Sequence, residues 1–392
     1  MDKLKSLAKG DLAMPWSVKG KVELRAEFVK RALSGEAIAR LCREYGISRP
    51  TGYLWLNRFE SAGTIRSLLD RSHRPKSCPR RTSKEVEQYV IKLREQYGWG
   101  ADKLKVLLLQ RHQVDLPRVT INRIIERNGL LIAEDCIRPA LKRFQRETPN
   151  ELWQVDLKGC VGRGEARCEP LSMLDDCSRF VVGLFPTTSS KLEPIQAAFT
   201  SVFRTFGVPQ ALLMDHGVPW WGNAHFSGLT RLSVWLMRQD IRLCFSGYNH
   251  PQTQGKVERF HRTLAHAIRH KGTPRVFRRW GPLLAQIRNE YNTVRPHESL
   301  DMQVPASRYS PSAKAFNPIP SEPQYPLGSM LLKVEKNGTF KFKKKRLFAS
   351  QALSGETVRL VELENSLAVF YRNTPLREVD LRTGQSVPFL DS

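Results

Sequence analysis

The chain has 392 residues, of which 41% are hydrophobic, a composition that excludes general disorder and suits about two to four folded domains. Sixty-three lysines and arginines stand against 38 acidic residues, and the formal net charge of +25 favours a polyanionic partner. Seven cysteines, an odd number without a CxxC pair, indicate reduced thiols rather than a disulfide framework.

An anionic membrane is the rival to nucleic acid as the partner of this charge. The sequence contains no run of about 18 apolar residues and no lipidation motif, so we expect no membrane association. Residues 1–20 lack the apolar region of a signal peptide. We therefore expect a cytoplasmic protein.

Residues 1–70 are predicted to form a helical domain. Leu24 and Phe28 recur at helical spacing, a second helix follows, and Ser48 is placed to cap a third helix that tolerates Pro50 in its first turn. This is the helix-turn-helix pattern, whose third helix enters the major groove of DNA with its early exposed positions. The predicted contacts are Arg49, Thr51 and Tyr53.

Residues 71–81 are predicted to be a basic linker. Two prolines and five basic residues within eleven positions indicate an extended, cationic segment. The segment is either a solvated spacer or an arm that lies along DNA phosphates or in a minor groove. Helix-turn-helix units on both sides favour the arm, with Arg74, Lys76, Arg80 and Arg81 as its DNA contacts.

A second helix-turn-helix domain is predicted over residues 82–135, followed by a basic linker over 136–149. Thr82 and Glu85 have capping-box spacing, and a third helix is expected from about Pro117. Three-helix units also serve as plain packing or dimerisation modules, but the doubling of the unit, the linker and the charge favour DNA binding. The predicted contacts are Arg118, Thr120 and Asn122.

Residues 150–310 change to strands that alternate with helices. Three successive strands and then alternating helices and strands predict an α/β domain with a mixed sheet. Strands are predicted at Leu152–Leu157, Pro170–Asp176, Phe180–Phe185, Gln210–Met214 and Ile241–Phe245, and helices at Lys191–Phe206, Phe226–Arg238, from about Thr253 to His270 and at Val276–Asn292.

The C-terminal part is predicted to be a proline-rich linker over residues 311–327 and a small β-barrel over 328–392. Asn337-Gly338 between strand-like runs is a strong hairpin signal. The run from Lys341 to Arg346 has five basic residues in six positions. It is either a solvated hairpin or, as we favour, a surface that binds DNA phosphates without reading sequence. The predicted contacts are Lys343, Lys344 and Lys345.

Three acids stand out in the α/β domain. Asp156 interrupts an apolar run, Asp215 ends another and precedes a turn, and Glu258 lies near the start of a helix. Each alone has an ordinary explanation as a strand end, a turn residue or a solvated helix charge. A buried carboxylate is nevertheless costly unless it is paired or binds a metal. Converging acids could hold two hard cations about 3.5–4 Å apart, as in phosphodiester displacement.

The text around these acids resembles the integrase-core group of bacterial insertion-sequence transposases. The matching segments are Trp153-Gln-Val-Asp156, Leu174-Asp-Asp-Cys-Ser-Arg179, Met214-Asp-His-Gly217, His250-Pro-Gln-Thr-Gln-Gly-Lys-Val-Glu-Arg259 and Tyr291-Asn-x-x-Arg-Pro-His-x-x-Leu300. The resemblance implies a ribonuclease-H-like fold, and the order of domains is similar to one subgroup. Two departures are His216, where an asparagine often follows the second aspartate, and the long interval from Asp215 to Glu258.

The resemblance implies that Asp156, Asp215 and Glu258 are catalytic residues that bind two Mg²⁺ ions, with Mn²⁺ as a substitute. Arg262, four residues after Glu258 on the same helix face, is placed to meet a phosphate near the ions, while Lys256 and Arg259 are on other faces and contact either flanking DNA or solvent. Asp175 and Asp176 also match a family motif, but we interpret them as a turn between core strands.

The implied function is that of a DNA transposase. It would bind the terminal inverted repeats of a mobile element on the nucleoid, cleave at the element ends and join the 3′ hydroxyls to target DNA, as a dimer or tetramer assembled on double-stranded DNA. One alternative is a catalytically inactive, transposase-derived regulator that binds specific DNA sequences. Another is a ribonuclease-H-like nuclease that cuts RNA–DNA hybrids.

Overall fold

The computed structural model describes residues 20–71, 81–131, 145–222, 228–246 and 255–389. The predicted contacts Arg74, Lys76 and Arg80 lie outside these ranges, as do His250 and the rest of the segment before Gly255. The chain divides into two compact units, Met1–Arg81 and Thr82–Ser392.

The first unit is the predicted three-helix domain, with α1 (Lys21–Leu33), α2 (Ile38–Glu44), α3 (Arg49–Ala62) and a short 3₁₀ helix at Ile65–Leu68. Ser48 caps α3 as predicted, because its hydroxyl accepts a hydrogen bond from Thr51 N–H at 3.3 Å. Gly52 lies where α3 meets the other helices, and a Cβ there would come within 2.6 Å of Cys42 Sγ. Leu24, predicted on the buried face of α1, is 40% exposed.

The second unit opens with another three helices, α4 (Lys84–Tyr97), α5 (Ala101–His112) and α6 (Arg118–Arg127). The predicted capping box is wrong. Ser83 rather than Thr82 is the N-cap, and its hydroxyl accepts from Val86 N–H at 3.4 Å. The inward face of α6 is formed by Ile121 and Ile124, which are buried in the core of this three-helix domain.

The α/β domain contains a five-stranded sheet of β1 (Trp153–Leu157), β2 (Glu169–Asp175), β3 (Val181–Thr187), β4 (Ala211–Met214) and β5 (Arg242–Phe245). The strand order is β3-β2-β1-β4-β5. β1 is antiparallel to β2, and β2 to β3, whereas β4 is parallel to both β1 and β5. The predicted mixed sheet is confirmed, and β1 lies at its centre.

Helices cover both faces of this sheet. α7 (Leu192–Phe206) and α8 (Arg231–Arg238) share one hydrophobic cluster with Val155, while α9 (Gly255–Lys271) and α10 (Trp280–Thr293) share another with Leu174. α8 begins later than predicted because Thr230 caps it in a capping box with Ser233. None of the helices in the described ranges combines the length and apolar character needed to cross a lipid bilayer.

The proline-rich passage after the α/β domain is more than a surface spacer at its start. Val208 N–H donates to Lys314 O at 2.8 Å, which ties the passage to the end of α7. The ring of Phe316 lies 5.8 Å from that of Phe203. Apolar packing therefore fixes the beginning of residues 311–327 on the domain.

The C-terminal region contains seven strands, β6 (Met330–Lys333), β7 (Thr339–Phe342), β8 (Lys345–Phe348), β9 (Thr357–Glu362), β10 (Ser366–Tyr371), β11 (Thr374–Asp380) and β12 (Ser386–Pro388). Five of them form an antiparallel sheet in the order β12-β11-β10-β9-β6, and β7 and β8 form a separate hairpin. Among these described strands β12 and β6 are edges, so the barrel remains a prediction.

The turns of this region differ from the predicted ones. Asn337-Gly338 does form a turn, with Gly338 at φ +81°, but it connects strands of different sheets. The tight hairpin lies between β7 and β8, where Lys343 and Lys344 adopt φ values of 43° and 64°. Consecutive left-handed residues are typical of the type I′ turn that suits a two-residue hairpin loop.

Candidate active site

Asp156 and Asp215 lie on neighbouring parallel strands. Asp156 is the fourth residue of β1, and Asp215 directly follows β4. Gln154 pairs with Leu213 across these strands, so two residues further along Asp156 comes beside Asp215. Neighbouring strands are about 4.8 Å apart, and side chains alternate between the two faces of a sheet. The pairing therefore directs both carboxylates to the same face at the same end of the sheet.

Glu258 reaches this region from α9, which packs on β1 and β2. Val257 and Phe260 are buried beneath the helix. Val257 N–H donates to Gln154 Oε1 at 3.2 Å, which fixes the first turn of α9 beside β1, two residues before Asp156. Glu258, the next residue of the helix, is exposed.

The electrostatics of Asp156 show that the three acids lie close enough to interact. Burial raises the pKa of Asp156 to about 7, and the negative charges of Asp215 and Glu258 contribute to the rise. One backbone hydrogen bond, from Leu157, opposes it. A carboxylate with little hydrogen bonding and two like charges nearby favours a bound cation, because a cation would relieve both penalties.

Within the described ranges, no group of three or more His, Cys, Asp or Glu side chains is close enough to coordinate a metal ion as it stands. Asp156, Asp215 and Glu258 are nevertheless the acids that the fold gathers at one end of β1. They offer only oxygen donors, which are the ligands that Mg²⁺ prefers. The chemistry of this set therefore fits a hard divalent cation.

A buried ion pair holds the start of α9 in place. Asp176 accepts hydrogen bonds from Gln154 Nε2 at 2.8 Å and from Arg146 N–H at 2.7 Å, and its carboxylate is 2.6 Å from Lys256 Nζ. Burial is the main reason that the pKa of Lys256 falls to about 8. The prediction that Lys256 contacts DNA is therefore corrected, since its ammonium group points inward to Asp176.

Asp175 is also buried, and its carboxylate is hydrogen-bonded within the protein. Its carboxylate accepts hydrogen bonds from Asn150 N–H at 2.7 Å, from Ser178 N–H at 2.8 Å and from the Ser178 hydroxyl at 2.6 Å. These contacts close the turn between β2 and β3. They confirm the interpretation of Asp175 and Asp176 as turn residues.

His261 also belongs to the site, although it was not predicted from the sequence. Its Nδ1 lies 3.6 Å from Asp156 Oδ2, and its Nε2 lies 3.0 Å from the Ser172 hydroxyl oxygen. Burial, followed by the charge of Lys158, lowers the pKa of His261 to about 4, so the ring is neutral at pH 7. The signal was available, because residues three apart on a helix share a face and His261 follows Glu258 by three.

The two arginines predicted to contact DNA from α9 are both on its surface. Arg262 is exposed one turn beyond Glu258, on the same face of the helix. Arg259 lies 3.7 Å from Glu298, whose carboxylate also accepts a hydrogen bond from Lys103 Nζ on α5 at 2.8 Å. Glu298 thus connects the second three-helix domain to the helix that carries Glu258.

The third helix of the first unit exposes two of its three predicted contacts. Arg49 and Tyr53 are on the surface, and so is Asn57, which extends the same face and was not predicted. The hydroxyl of Thr51 lies 2.8 Å from that of Ser48, so it belongs to the helix cap. The exposed face of α3 is therefore formed by Arg49, Tyr53 and Asn57.

In the second three-helix domain, Arg118 and Asn122 are exposed on α6, while Thr120 is half-buried. The Arg118 guanidinium lies 3.4 Å from Asp102, with both side chains open to solvent. Exposed pairs of this kind are weak, so Asp102 does not prevent Arg118 from meeting a phosphate. Arg81, the remaining linker residue, is exposed.

The lysines of the C-terminal hairpin have different surroundings. Lys343 pairs with Glu362, and Lys345 Nζ donates to Leu381 O at 2.7 Å. Lys344 is exposed at the tip of the turn. Of the three predicted contacts, Lys344 is therefore the one that the structure presents most openly.

Family models match most of the chain. A helix-turn-helix domain matches residues 24–76, and a homeodomain-like domain matches residues 51–125. Two models of the integrase core domain match residues 146–251 and 239–305. The integrase-core matches together contain all three acids of the candidate site.

The chain is also similar to solved viral integrases. The HTLV-2 integrase catalytic core domain in complex with magnesium is 12% identical, with a TM-score of 0.33, over 41% of this chain and 97% of that one. A simian T-cell lymphotropic virus intasome in complex with the PP2A regulatory subunit B56 gamma is 13% identical, with a TM-score of 0.38, over 76% of this chain and 96% of that one. These likenesses are too distant to transfer a function.

Proposed function

We propose that this chain, which belongs to the integrase-core, ribonuclease-H-like group of insertion-sequence transposases, cleaves DNA at the ends of a mobile element and joins the freed 3′ hydroxyls to target DNA. The observation that carries the proposal is the pairing of β1 with β4, which brings Asp156 beside Asp215, with Glu258 close enough to help raise the pKa of Asp156. Three acids from distant parts of the sequence lie near the end of a central strand, where burial and like charges make an ionised Asp156 costly and where carboxylates are useful for phosphoryl transfer.

Asp156, Asp215 and Glu258 are the residues that would hold two Mg²⁺ ions. When bound, the ions would activate the attacking oxygen and stabilise the leaving oxygen of a phosphodiester displacement. The chain itself positions the acids, through the pairing of β1 with β4 and the bond between Val257 and Gln154.

DNA recognition falls to the two helix-turn-helix domains. The exposed faces of α3 and α6 present arginine, tyrosine and asparagine side chains, which suit base edges and phosphates in a major groove. We propose that these faces read the terminal inverted repeats of the element. Arg262 would contact a phosphate close to the acids, and the linker residues would follow the DNA backbone between the two domains.

We propose a supporting role for the C-terminal region. Lys344, at the tip of the β7–β8 hairpin, would contact DNA phosphates without reading sequence. Closure of the C-terminal strands into a small barrel is part of this proposal. Because joining requires two element ends, we further propose a dimer or tetramer that assembles on DNA.

Replacing Glu258 by glutamine tests the proposal. Glu258→Gln keeps the size of the side chain and removes one negative charge, so the variant should bind end-sequence duplexes normally and lose Mg²⁺-dependent cleavage and joining. Glu193→Gln is a matched control, because Glu193 is also an exposed acid in the first turn of a helix packed on the same sheet.

The outcomes separate the candidate functions. Wild-type protein that binds the ends but never joins them would support the inactive regulator. Cleavage of RNA–DNA hybrids without strand transfer would support the nuclease. Joining that survives in Glu258→Gln would remove Glu258 from the active site.

A further inference from the structure

A basic cleft lies at the far end of α9 from Glu258. It has a volume of about 520 Å³ and is lined by Gly162, Arg163, Ala166, Thr273, Pro274 and Arg275. None of these residues is acidic. The cleft joins the loop that follows β1 to the connection between α9 and α10.

The loop that carries Arg163 is rigidly built. Val161 and Cys168 exchange backbone hydrogen bonds of 2.8 and 2.9 Å across its base. Gly162 has a φ of +78°, and a Cβ there would lie 2.4 Å from Ala166 O, so only glycine fits. The buried indole of Trp280 donates to the same carbonyl at 2.7 Å. The backbone that carries Arg163 is therefore held in one conformation by these contacts.

The two arginines of the cleft have no acidic partner among the residues that the structure describes. Of the nearby acids, Glu169 pairs with Arg167 at 3.1 Å and Glu290 with Lys271 at 2.7 Å, while Glu165, two residues from Arg163 in the same loop, is exposed and forms no ion pair with either arginine of the cleft. Arg163 and Arg275 are both exposed. Two exposed guanidinium groups that line one cleft without a carboxylate partner suit an anion, and guanidinium groups bind the oxygens of a phosphate diester well.

A line of arginines connects this cleft to the acids. Arg262 and Arg269 are exposed on α9, four and eleven residues beyond Glu258, positions that share one face of a helix. Thirteen residues separate Glu258 from Lys271 at the end of α9, which spans about 20 Å at 1.5 Å per residue. That length corresponds to roughly six base pairs of B-form DNA at about 3.4 Å each.

We propose that Arg163 and Arg275 form a backbone-phosphate site for duplex DNA that extends past the acids along α9. The site holds the DNA about six base pairs from the cleaved bond. The inference rests on the proposed function, because that function places DNA at Glu258. It adds a contact from the loop after β1, which anchors the substrate without reading its sequence.

The salt dependence of binding tests the site. The full chain is titrated in EDTA against a fluorescent 30-base-pair duplex of mixed sequence, at about 50 to 200 mM salt. Each phosphate contact contributes about 0.9 to the slope of log affinity against log salt concentration. For Arg163→Gln/Arg275→Gln the slope should become shallower by about 1.8. Across that fourfold salt range the wild type should therefore lose about 12-fold more affinity than this variant.

Two variants control for charge. Arg204→Gln/Arg231→Gln also removes two positive charges from exposed arginines, but these lie on α7 and α8, which pack on the sheet face opposite α9, so its slope should match the wild type. Arg163→Lys/Arg275→Lys keeps the charge and should keep most of the slope. Equal melting temperatures establish that each variant folds.

A wild-type slope in Arg163→Gln/Arg275→Gln, or an equal loss in Arg204→Gln/Arg231→Gln, would overturn the cleft as a phosphate site. Such a result would leave the proposed function standing, because Glu258→Gln is judged by joining and not by the salt slope. Conversely, the slope of Arg163→Gln/Arg275→Gln could become shallower while Glu258→Gln still joins DNA. That pair of results would support the cleft as a phosphate site and show that the active-site assignment is wrong.

Discussion

Neutralising Asp156 should stabilise the metal-free protein, although it should destroy activity. In the folded chain burial and the charges of Asp215 and Glu258 raise the pKa of Asp156 from 3.8 to about 7. At about 1.4 kcal/mol per pH unit, the rise corresponds to a penalty of about 4 kcal/mol for the ionised form. The side chain is 20% exposed. We therefore expect Asp156→Asn to gain about 2–4 kcal/mol in EDTA at pH 8, within that upper bound.

The dependence on pH follows from the sign of the shift. Below pH 3.8 Asp156 is protonated in both the folded and unfolded states, so wild type and Asp156→Asn should have equal stability. Between that pH and about 7 the folded state binds more protons than the unfolded state, and the wild type loses stability as the pH rises. Above pH 7 the difference should stay constant.

Thermal unfolding in EDTA and in Mg²⁺ measures both effects, at roughly 2–4 °C per kcal/mol for a domain of this size. Mg²⁺ should raise the melting temperature of the wild type and have a much smaller effect on Asp156→Asn. Asp176→Asn is the matched control, because it makes the same change at a buried acid that is paired with Lys256. It should destabilise by about 3–5 kcal/mol, since Lys256 is left buried without its partner.

The reasoning would be refuted if Asp156→Asn proved less stable than the wild type in EDTA at pH 8. It would also fail if Mg²⁺ stabilised both proteins equally, since the carboxylate would then make no difference to cation binding.

Two further predictions concern residues with tight surroundings. Gly52→Ala should destabilise the first three-helix domain by about 1–3 kcal/mol, because its Cβ would lie 2.6 Å from Cys42 Sγ; limited proteolysis and end binding measure the loss, and unchanged protection would contradict it. His261→Leu should lower the rate of joining about 10- to 100-fold, since the ring contacts Asp156 and Ser172. End binding should be unaffected, and an equal loss of binding and joining would indicate misfolding instead.

The sequence predicted the elements whose local signals agree with their tertiary surroundings. Ser48 caps α3 because a short polar side chain before a helix satisfies a free N–H wherever the helix packs. The strands of the α/β domain are short runs rich in apolar residues because helices cover both faces of the sheet, and turn residues on either side mark their ends. The alternation of strands and helices predicted a mixed sheet, whereas the strand order came only from the structure.

Two local predictions in the C-terminal region and in the second three-helix domain failed because the sequence signal was absent or matched a neighbouring residue. The two-residue turn of Lys343 and Lys344 contains neither glycine nor asparagine, so its left-handed backbone has no local signal. β8, which follows that turn, was therefore not predicted. Thr82 and Glu85 have capping-box spacing, but Ser83 is one residue closer to the helix and takes the cap.

The candidate site was predicted in part. The three acids could be identified because their motifs resemble a family, whereas their electrostatics could not, since the pKa of Asp156 depends on burial and on two charges from other elements. For Lys256 the sequence suggested a role that the fold corrects. A lysine next to a catalytic-type glutamate suggests DNA, yet only the fold reveals that Asp176 lies behind it.

α9 explains why basic residues in one motif have different roles. Successive helical residues are rotated by about 100°, so Lys256, Glu258 and Arg259 point in different directions. Lys256 faces Asp176 and anchors the helix, while Arg259 faces Glu298, which is also bound by Lys103 of the second three-helix domain. Glu258 and Arg262 point in a third direction, where both side chains are exposed and substrate would bind. The helix thus connects the sheet, the second three-helix domain and the acids, and under the proposed function its exposed arginines would give DNA a path away from the cleaved bond.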